Sequence, residues 1–200
     1  MAIFNSSRAY GSVAVVLHWA IALLIGAQLA LGLVMTRLLD AAPVTQFWAY
    51  QWHKSFGLTT LALCLIRLGW WLANRHPAPV DRLGPMPRRA ARIVQFVLLV
   101  LPLAVAGAGW AVASSSVLDI PTVAFNLFLV PDLPLERSEV AEAGWTRLHR
   151  LSAYALGFFA AGHAFAALWH HLWLNDATLR RMLRPGREAP LRDKRRNRGR

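Results

Sequence analysis

The 200-residue chain is poor in cysteine and in acidic residues: it has one cysteine, Cys64, and ten Asp and Glu residues in all. One cysteine excludes an internal disulfide framework and any cysteine-rich zinc or iron–sulfur site. The sequence also has no internal repeat, no G-x-G-x-x-G fingerprint and no phosphate-binding loop. Disulfide frameworks and cysteine-rich metal sites are therefore excluded, and the sequence shows no nucleotide-binding motif.

Apolar residues are abundant, at 56% of the chain against 16% charged, which is unlike a soluble globular domain. A helix needs about 20 residues to cross a hydrocarbon core of about 30 Å. Four apolar runs have this length: residues 12 to 35, 52 to 71, 93 to 113 and 148 to 173. Backbone groups in lipid must be satisfied within their segment, so each run is predicted to be helical. The first run is too long for a signal peptide and has no A-x-A-like cleavage site after it, so it is predicted to be retained.

The fold class predicted from these runs is an all-α membrane protein, a four-helix transmembrane bundle over residues 1–174. The connections at 37–52 and 114–147 have net charges of 0 and −3, whereas 72–92 carries +4 and the tail 175–200 carries +7. The positive-inside rule then places both termini in the cytoplasm. The basic cytoplasmic tail is predicted to be disordered and to touch anionic lipid. A nucleic-acid-binding arm would need a folded partner module, and the chain has none.

Two features of the 114–147 connection also carry predictions. The moderately apolar stretch from residue 120 to 130 is predicted to lie in the membrane interface. Ser138 is a suitable N-cap, and Glu139 and Glu142 suit the first turns of a helix, so the fourth helix is predicted to begin well before the lipid.

Four histidines lie in the predicted membrane helices, where an ionisable residue is costly and indicates function. His149 and His163 are 14 residues apart, which is about 21 Å of rise and about 40° short of four turns, so both lie on one helix face. In the predicted topology, His149 is level with His53 on the outer side, and His163 is level with His18 nearer the cytoplasm. We call these the outer pair and the inner pair.

Two imidazole pairs facing across a helical bundle are what two haems stacked across a bilayer require. Bis-imidazole ligation leaves no open position on the iron, so such a site transfers electrons and does not bind gas. No C-x-x-C-H motif is present to attach a haem covalently. Zinc is the competing metal, but four histidines at two depths do not converge on one tetrahedral site. Small residues flank the histidines, as either a flat cofactor or close helix packing requires: Gly26, Gly57, Gly157, Ala161 and Gly162.

Basic residues accompany both pairs. Arg67 follows His53 by 14 residues and so lies at the depth of the inner pair, where it binds a haem propionate or reaches to the cytoplasmic interface. Lys54, Arg147 and Arg150 surround the outer pair. These cations bind propionates, or they steer a small anion or an acidic redox partner toward the outer haem.

Three further histidines lie outside the two pairs. His170 and His171 follow at the cytoplasmic boundary and are predicted to be interfacial, with a quinone contact or substitute ligation as alternatives. His76, beside Pro77 in the linker, is predicted to be exposed to solvent.

The sequence around these residues resembles the bacterial cytochrome b561 family. The resemblance rests on L-H-W at 17–19 with Tyr10 before it, H-K-S-F-G at 53–57 with R-L-G-W at 67–70, H-R-L-S at 149–152 with G-H at 162–163, and W-H-H-L-W-L-N-D-A-T-L-R-R-M-L from Trp169. It spans nearly the whole chain. One departure is that Ala9 separates Arg8 from Tyr10, where the family often has Arg next to Tyr.

The resemblance implies a multi-pass protein of the bacterial inner membrane with two haem b groups, ligated by His18, His53, His149 and His163, that exchanges electrons with ubiquinone or another quinone. We expect an oxidoreductase in which a periplasmic donor, superoxide or a redox protein, reduces the outer haem, with Lys54 and Arg150 steering the anion. The alternative is a non-catalytic relay subunit that docks a periplasmic dehydrogenase or soluble cytochrome. A haem-free proton relay or transporter is a third hypothesis. The sequence leaves a homodimer open.

Overall fold

The computed structural model describes residues 2–37, 42–78, 84–184 and 186. Four long helices dominate these residues: α1 (Ser12–Arg37), α2 (Pro43–Ala73), α3 (Pro85–Ser115) and α4 (Glu139–Leu172). A hairpin of two short strands, β1 (Thr122–Ala124) and β2 (Phe128–Val130), lies between α3 and α4, and a short helix α5 (Thr178–Leu183) follows α4.

Each of the four long helices is long and apolar enough to cross a membrane. Their outward side chains are apolar, for example Leu23 and Phe158, which are 73% and 76% exposed. Lipid is the environment in which such a surface is stable, since a soluble monomer rarely exposes a continuous apolar surface of this extent. The predicted four-helix transmembrane class is therefore confirmed, while the predicted orientation of the termini stays a prediction.

Small residues occupy the buried positions in the last part of α3. These are Ala108, Ala111, Ser114 and Ser115. The two serine hydroxyls donate to carbonyls one turn back in their own helix, at 2.9 Å for Ser114 and 2.8 Å for Ser115. Their polar groups are therefore satisfied inside the apolar bundle. α3 packs against α4, and this is the most extensive helix contact among the described residues.

The helices extend beyond the apolar runs seen in the sequence. α2 begins at Pro43 and α3 at Pro85, each with proline in the first turn, where its missing N–H costs no hydrogen bond. α4 begins at Glu139, because the Ser138 hydroxyl accepts a hydrogen bond from the Ala141 amide at 3.2 Å, as its N-cap position predicts. The apolar run shows which part of a helix lies in lipid, whereas prolines and N-caps determine the residue at which the helix begins.

The hairpin covers the end of α2 that carries His53. Its strands are antiparallel with Val123 opposite Leu129, and it turns through Phe125 and Asn126 with φ of 51° and 58°. The Phe125 amide donates to the Ser55 hydroxyl of α2 at 3.0 Å, and its ring packs edge-on against Phe56 with centroids 5.3 Å apart. This tertiary anchoring holds a phenylalanine in a left-handed conformation that it otherwise disfavours. The stretch 120–130 therefore contains a short pair of strands that the sequence did not predict, within a fold that is otherwise helical.

At the other end of the bundle, the beginning of the tail is folded. Asp176 is buried, and its carboxylate accepts from the Thr178 amide at 2.8 Å, where α5 begins. The Trp19 indole donates to the Met182 carbonyl at 2.7 Å and so ties α5 to α1. The prediction of a disordered tail from residue 175 is wrong for α5, because this capping carboxylate and the contact with α1 offset the cost of ordering it. The remainder of the predicted tail, residues 185 and 187–200, lies outside the described residues.

Candidate functional site

The four membrane histidines form two pairs of facing rings. In the inner pair, His18 of α1 and His163 of α4 have ring centroids 6.2 Å apart and planes at 73°. In the outer pair, His53 of α2 and His149 of α4 have centroids 6.1 Å apart and planes at 89°. α4 contributes one ring to each pair, and α3 contributes none.

This spacing can be tested against the geometry of metal ligation. An imidazole nitrogen binds a metal ion at about 2 Å, so two rings on opposite sides of one ion have centroids about 6 Å apart. Both pairs have this separation. Within the described residues, no group of three or more His, Cys, Asp or Glu side chains is placed to share an ion. Each pair therefore suits a metal whose remaining ligands come from a planar cofactor, and neither provides a tetrahedral zinc site.

His149 is held by α3 in the state that iron ligation requires. Its Nδ1 lies 2.8 Å from the backbone carbonyl of Val105, so this nitrogen carries the proton and donates it. The lone pair of Nε2 is then available for a metal. Gly109 makes room for the ring, because a Cβ at that position would lie 3.0 Å from Cε1 of His149. Val105 and Gly109 thus contact His149, which the sequence analysis did not predict.

One ring nitrogen of His53, Nδ1, is buried and has no hydrogen-bond partner among the described residues. α1 fixes the position of this residue, since the Gln28 amide donates to the His53 carbonyl at 2.9 Å. Gly32 of α1 also faces the ring, with its ideal Cβ position 3.6 Å from Cε1. Buried polar atoms in native proteins are normally satisfied, so the ring is suited to a group that the protein does not itself supply.

His18 is in contact with Arg67 of α2, whose Nη1 lies 3.1 Å from His18 Nδ1. A guanidinium only donates, so in this contact Nδ1 accepts. An imidazole that binds iron through Nε2 carries its proton on Nδ1, and two donors do not form a hydrogen bond. With iron at His18, the Arg67 N–H groups therefore need another acceptor, and a carboxylate of the cofactor meets that need.

The cations predicted around the outer pair are only partly assembled. The Lys54 ammonium lies 3.5 Å from the Pro121 carbonyl beside β1 and is half-buried against the hairpin. Arg147 and Arg150 are exposed on α4. The structure therefore places Lys54 in the first half of α2, facing the hairpin, and it places Arg150 on the surface.

Residues 9–185 match the model of a family described as prokaryotic cytochrome b561. The chain belongs to the prokaryotic cytochrome b561 family. It is 30% identical to cytochrome b561 homolog 2 of Escherichia coli (strain K12) over 186 residues, which are 92% of this chain and 95% of that protein. It is 29% identical to cytochrome b562 of Cereibacter sphaeroides over 180 residues, 88% of this chain and 96% of that protein. It is 27% identical to a protein named probable superoxide oxidase CybB from Yersinia pestis over 180 residues, again 88% and 96%.

Family membership confirms the resemblance inferred from the histidine motifs. It identifies the chain as a multi-pass inner-membrane protein for transmembrane electron transfer, and it implies b-type haem. The four histidines, Arg67 and the flanking turns all lie within the matched region. The assignment of individual ligands, the number of haems and the quinone are proposals, which we argue below.

The other histidines of this cytochrome b561 chain have different surroundings. His170 Nδ1 donates to the Asp176 carboxylate at 2.5 Å. Burial alone would raise the pKa of the Asp176 carboxyl, but hydrogen bonds from His170 and Thr178 outweigh burial and hold that pKa below its usual value. His171 lines an open cavity of about 400 Å³ with Arg180, Leu183 and Arg184. His76 is exposed, with its ring edge-on to Trp71 at 4.7 Å.

Proposed function

We propose that this protein moves electrons across the inner membrane through two b-type haems, one held by the outer pair and one by the inner pair. The observation that supports this proposal most is the distance between ring centroids, 6.1 Å in the outer pair and 6.2 Å in the inner pair. This is the separation expected for two imidazoles bound to one iron. When bound, each haem supplies a one-electron carrier with no open coordination position. The Val105 carbonyl orients His149, and Arg67 holds a haem propionate at the inner pair. Both termini lie in the cytoplasm, so the outer pair faces the periplasm.

The haem count tests this proposal. We expect a pyridine-haemochrome assay on detergent-purified protein to give two haem b groups per chain, with six-coordinate spectra in both redox states. One haem per chain would mean that one histidine pair is structural. If gently purified protein contained no haem, the proposal would be rejected and the haem-free proton relay would be favoured instead.

We further propose that superoxide is the periplasmic donor and that a membrane quinone is the acceptor. Support comes from the similar Yersinia pestis protein, which is named a probable superoxide oxidase. Two superoxide anions lose one electron each to give two dioxygen molecules, and the two electrons with two protons reduce one quinone to quinol. Lys54, half-buried in the first half of α2, and Arg150 on α4 attract the anion toward the outer pair.

Neutralising these two cations tests the steering. We expect Lys54→Gln combined with Arg150→Gln to slow haem reduction by superoxide severalfold at low ionic strength, with the difference shrinking as salt rises. Arg37→Gln, at the end of α1 on the same predicted side, is the control for a cation remote from the pair. An equal rate for variant and parent at low salt would contradict the steering role. Quinone reduction by the purified protein alone separates this function from a relay subunit, which would require its dehydrogenase or cytochrome partner.

A further inference from the structure

The protein groups beside the two histidine pairs differ in charge, and they should shift the potentials of the two haems in opposite directions. At the inner pair, the charged Arg67 guanidinium lies 3.1 Å from the His18 ring. At the outer pair, the His149 ring donates to the Val105 carbonyl at 2.8 Å. From this difference we infer that the inner haem has the higher reduction potential, so that the step from the outer pair to the inner pair is downhill for the electron. The inference rests on the proposed function, because it requires a haem at each pair.

The inner pair is placed to favour the reduced iron. Reduction adds one negative charge to the haem, and a nearby cation stabilises that charge most strongly where water is scarce. Arg67 lies in the membrane-spanning part of α2 and is partly buried. Among the described residues it pairs with no carboxylate. Its charge therefore lies beside the inner haem, where it offsets the negative charge of a propionate.

The outer pair is placed to favour the oxidised iron. An imidazole whose Nδ1–H donates to a carbonyl is a more basic ligand, and a more basic ligand stabilises the higher oxidation state of the metal. The Val105 carbonyl belongs to the backbone of α3, so this acceptor is fixed in position and has no charge to be screened. The hydrogen bond therefore lowers the potential of the outer haem relative to a histidine without it.

The basic residues near the outer pair do not cancel this difference. The side chains of Arg147 and Arg150 are exposed on α4, whereas Arg67 is partly buried, and an exposed charge acts more weakly on the iron than a buried one. Lys54 directs its ammonium at the Pro121 carbonyl. A partly buried cation beside the inner pair therefore acts on the iron more strongly than these exposed cations. Arg67 is thus a positioning and tuning residue for the inner haem.

Two single-haem proteins test the order of the potentials. We expect His149→Ala to retain only the inner haem and His163→Ala only the outer haem; both substitutions are on α4. Redox titration followed by absorbance should then give a higher midpoint potential in the His149→Ala protein. The reverse order would overturn the inference even if the unmutated protein contains two haems. A haem count below two in the unmutated protein would instead reject the proposed function.

Arg67 variants test the cause. We expect Arg67→Gln to lower the midpoint potential of the inner haem by at least about 59 mV, which is a tenfold change in the equilibrium constant of a one-electron reduction. The midpoint potential of the outer haem should not change. Arg67→Lys should restore most of the shift, because it keeps the charge. Arg92→Gln, an exposed arginine on α3, is the control. An unchanged inner midpoint in Arg67→Gln would overturn the role of this residue, and so would an Arg67→Lys midpoint as low as that of Arg67→Gln.

Discussion

Replacing His163 with alanine is expected to lower the haem content from two equivalents per chain to one. His163 is the ring facing His18, and alanine leaves His18 without a second imidazole across the site. α4 should persist, since alanine has the highest helix propensity of the residues. The outer pair lies 14 residues away on the same helix, about 21 Å along its axis, and should keep its haem. The measurement is a pyridine-haemochrome assay together with a reduced-minus-oxidised spectrum.

A matched histidine substitution makes this result specific. His76 is exposed in the segment after α2, where its ring touches Trp71, so His76→Ala should retain both haems. Two haems in the His163→Ala protein would contradict ligation by the inner pair. Loss of both haems would contradict the independence of the two sites, unless the variant is also unfolded. Circular dichroism on the same sample distinguishes these cases.

The meeting of the histidines follows from periodicity and topology together. A separation of 14 residues puts His149 and His163 on one face of α4 at two depths, and the alternating charge of the connections sets which histidine is level with each. The spacing of the histidines along the helix and the length of each apolar run can both be read from the sequence. The structure accordingly brings His53 within 6.1 Å of His149, and His18 within 6.2 Å of His163, between ring centroids.

The contacts around the rings were not predictable, because they depend on how each helix is rotated about its axis. α3 supplies no histidine, and residues 106 to 109 read A-G-A-G, which marks close packing without showing which glycine meets a ligand. Only the structure selects Gly109, beside His149, and leaves Gly107 with no atom within 4 Å of its Cβ position. Arg67 is a similar case. Its depth was predictable from the spacing, whereas its contact with His18 depends on the side-chain conformation.

The family name does not carry these details either. It establishes the helices and the membrane and implies b-type haem, whereas the contacts of Val105 with His149 and of Arg67 with His18 come from the structure of this chain. The potentials of the donor and the acceptor set the direction of net electron flow. Under the inference above, a backbone carbonyl at one pair and a guanidinium at the other make the step between the two haems downhill.

Enlarging Gly109 is expected to displace the outer haem and spare the inner one. A Cβ at this position would lie 3.0 Å from Cε1 and 3.1 Å from Nδ1 of His149, closer than ordinary van der Waals contact. Gly109→Ala should therefore shift the ring by a few tenths of an ångström. It should weaken the hydrogen bond to Val105 and reduce outer-haem content. Gly109→Val, whose branched side chain cannot turn away from the ring, should abolish outer-haem binding.

Gly107→Ala and Gly107→Val are the matched controls, since Gly107 lies one half-turn earlier on α3 and meets nothing within 4 Å. Replacing glycine with alanine inside a helix normally stabilises it by roughly 0.5–1 kcal/mol, so loss of haem at Gly109 would occur against a local gain in helix stability. In the His163→Ala background, Gly109→Val should leave no haem at all, while Gly107→Val should leave one. Full haem content in Gly109→Val would show that His149 does not need the position that α3 gives it. The hydrogen bond from His149 to Val105 would then not account for a lower reduction potential of the outer haem.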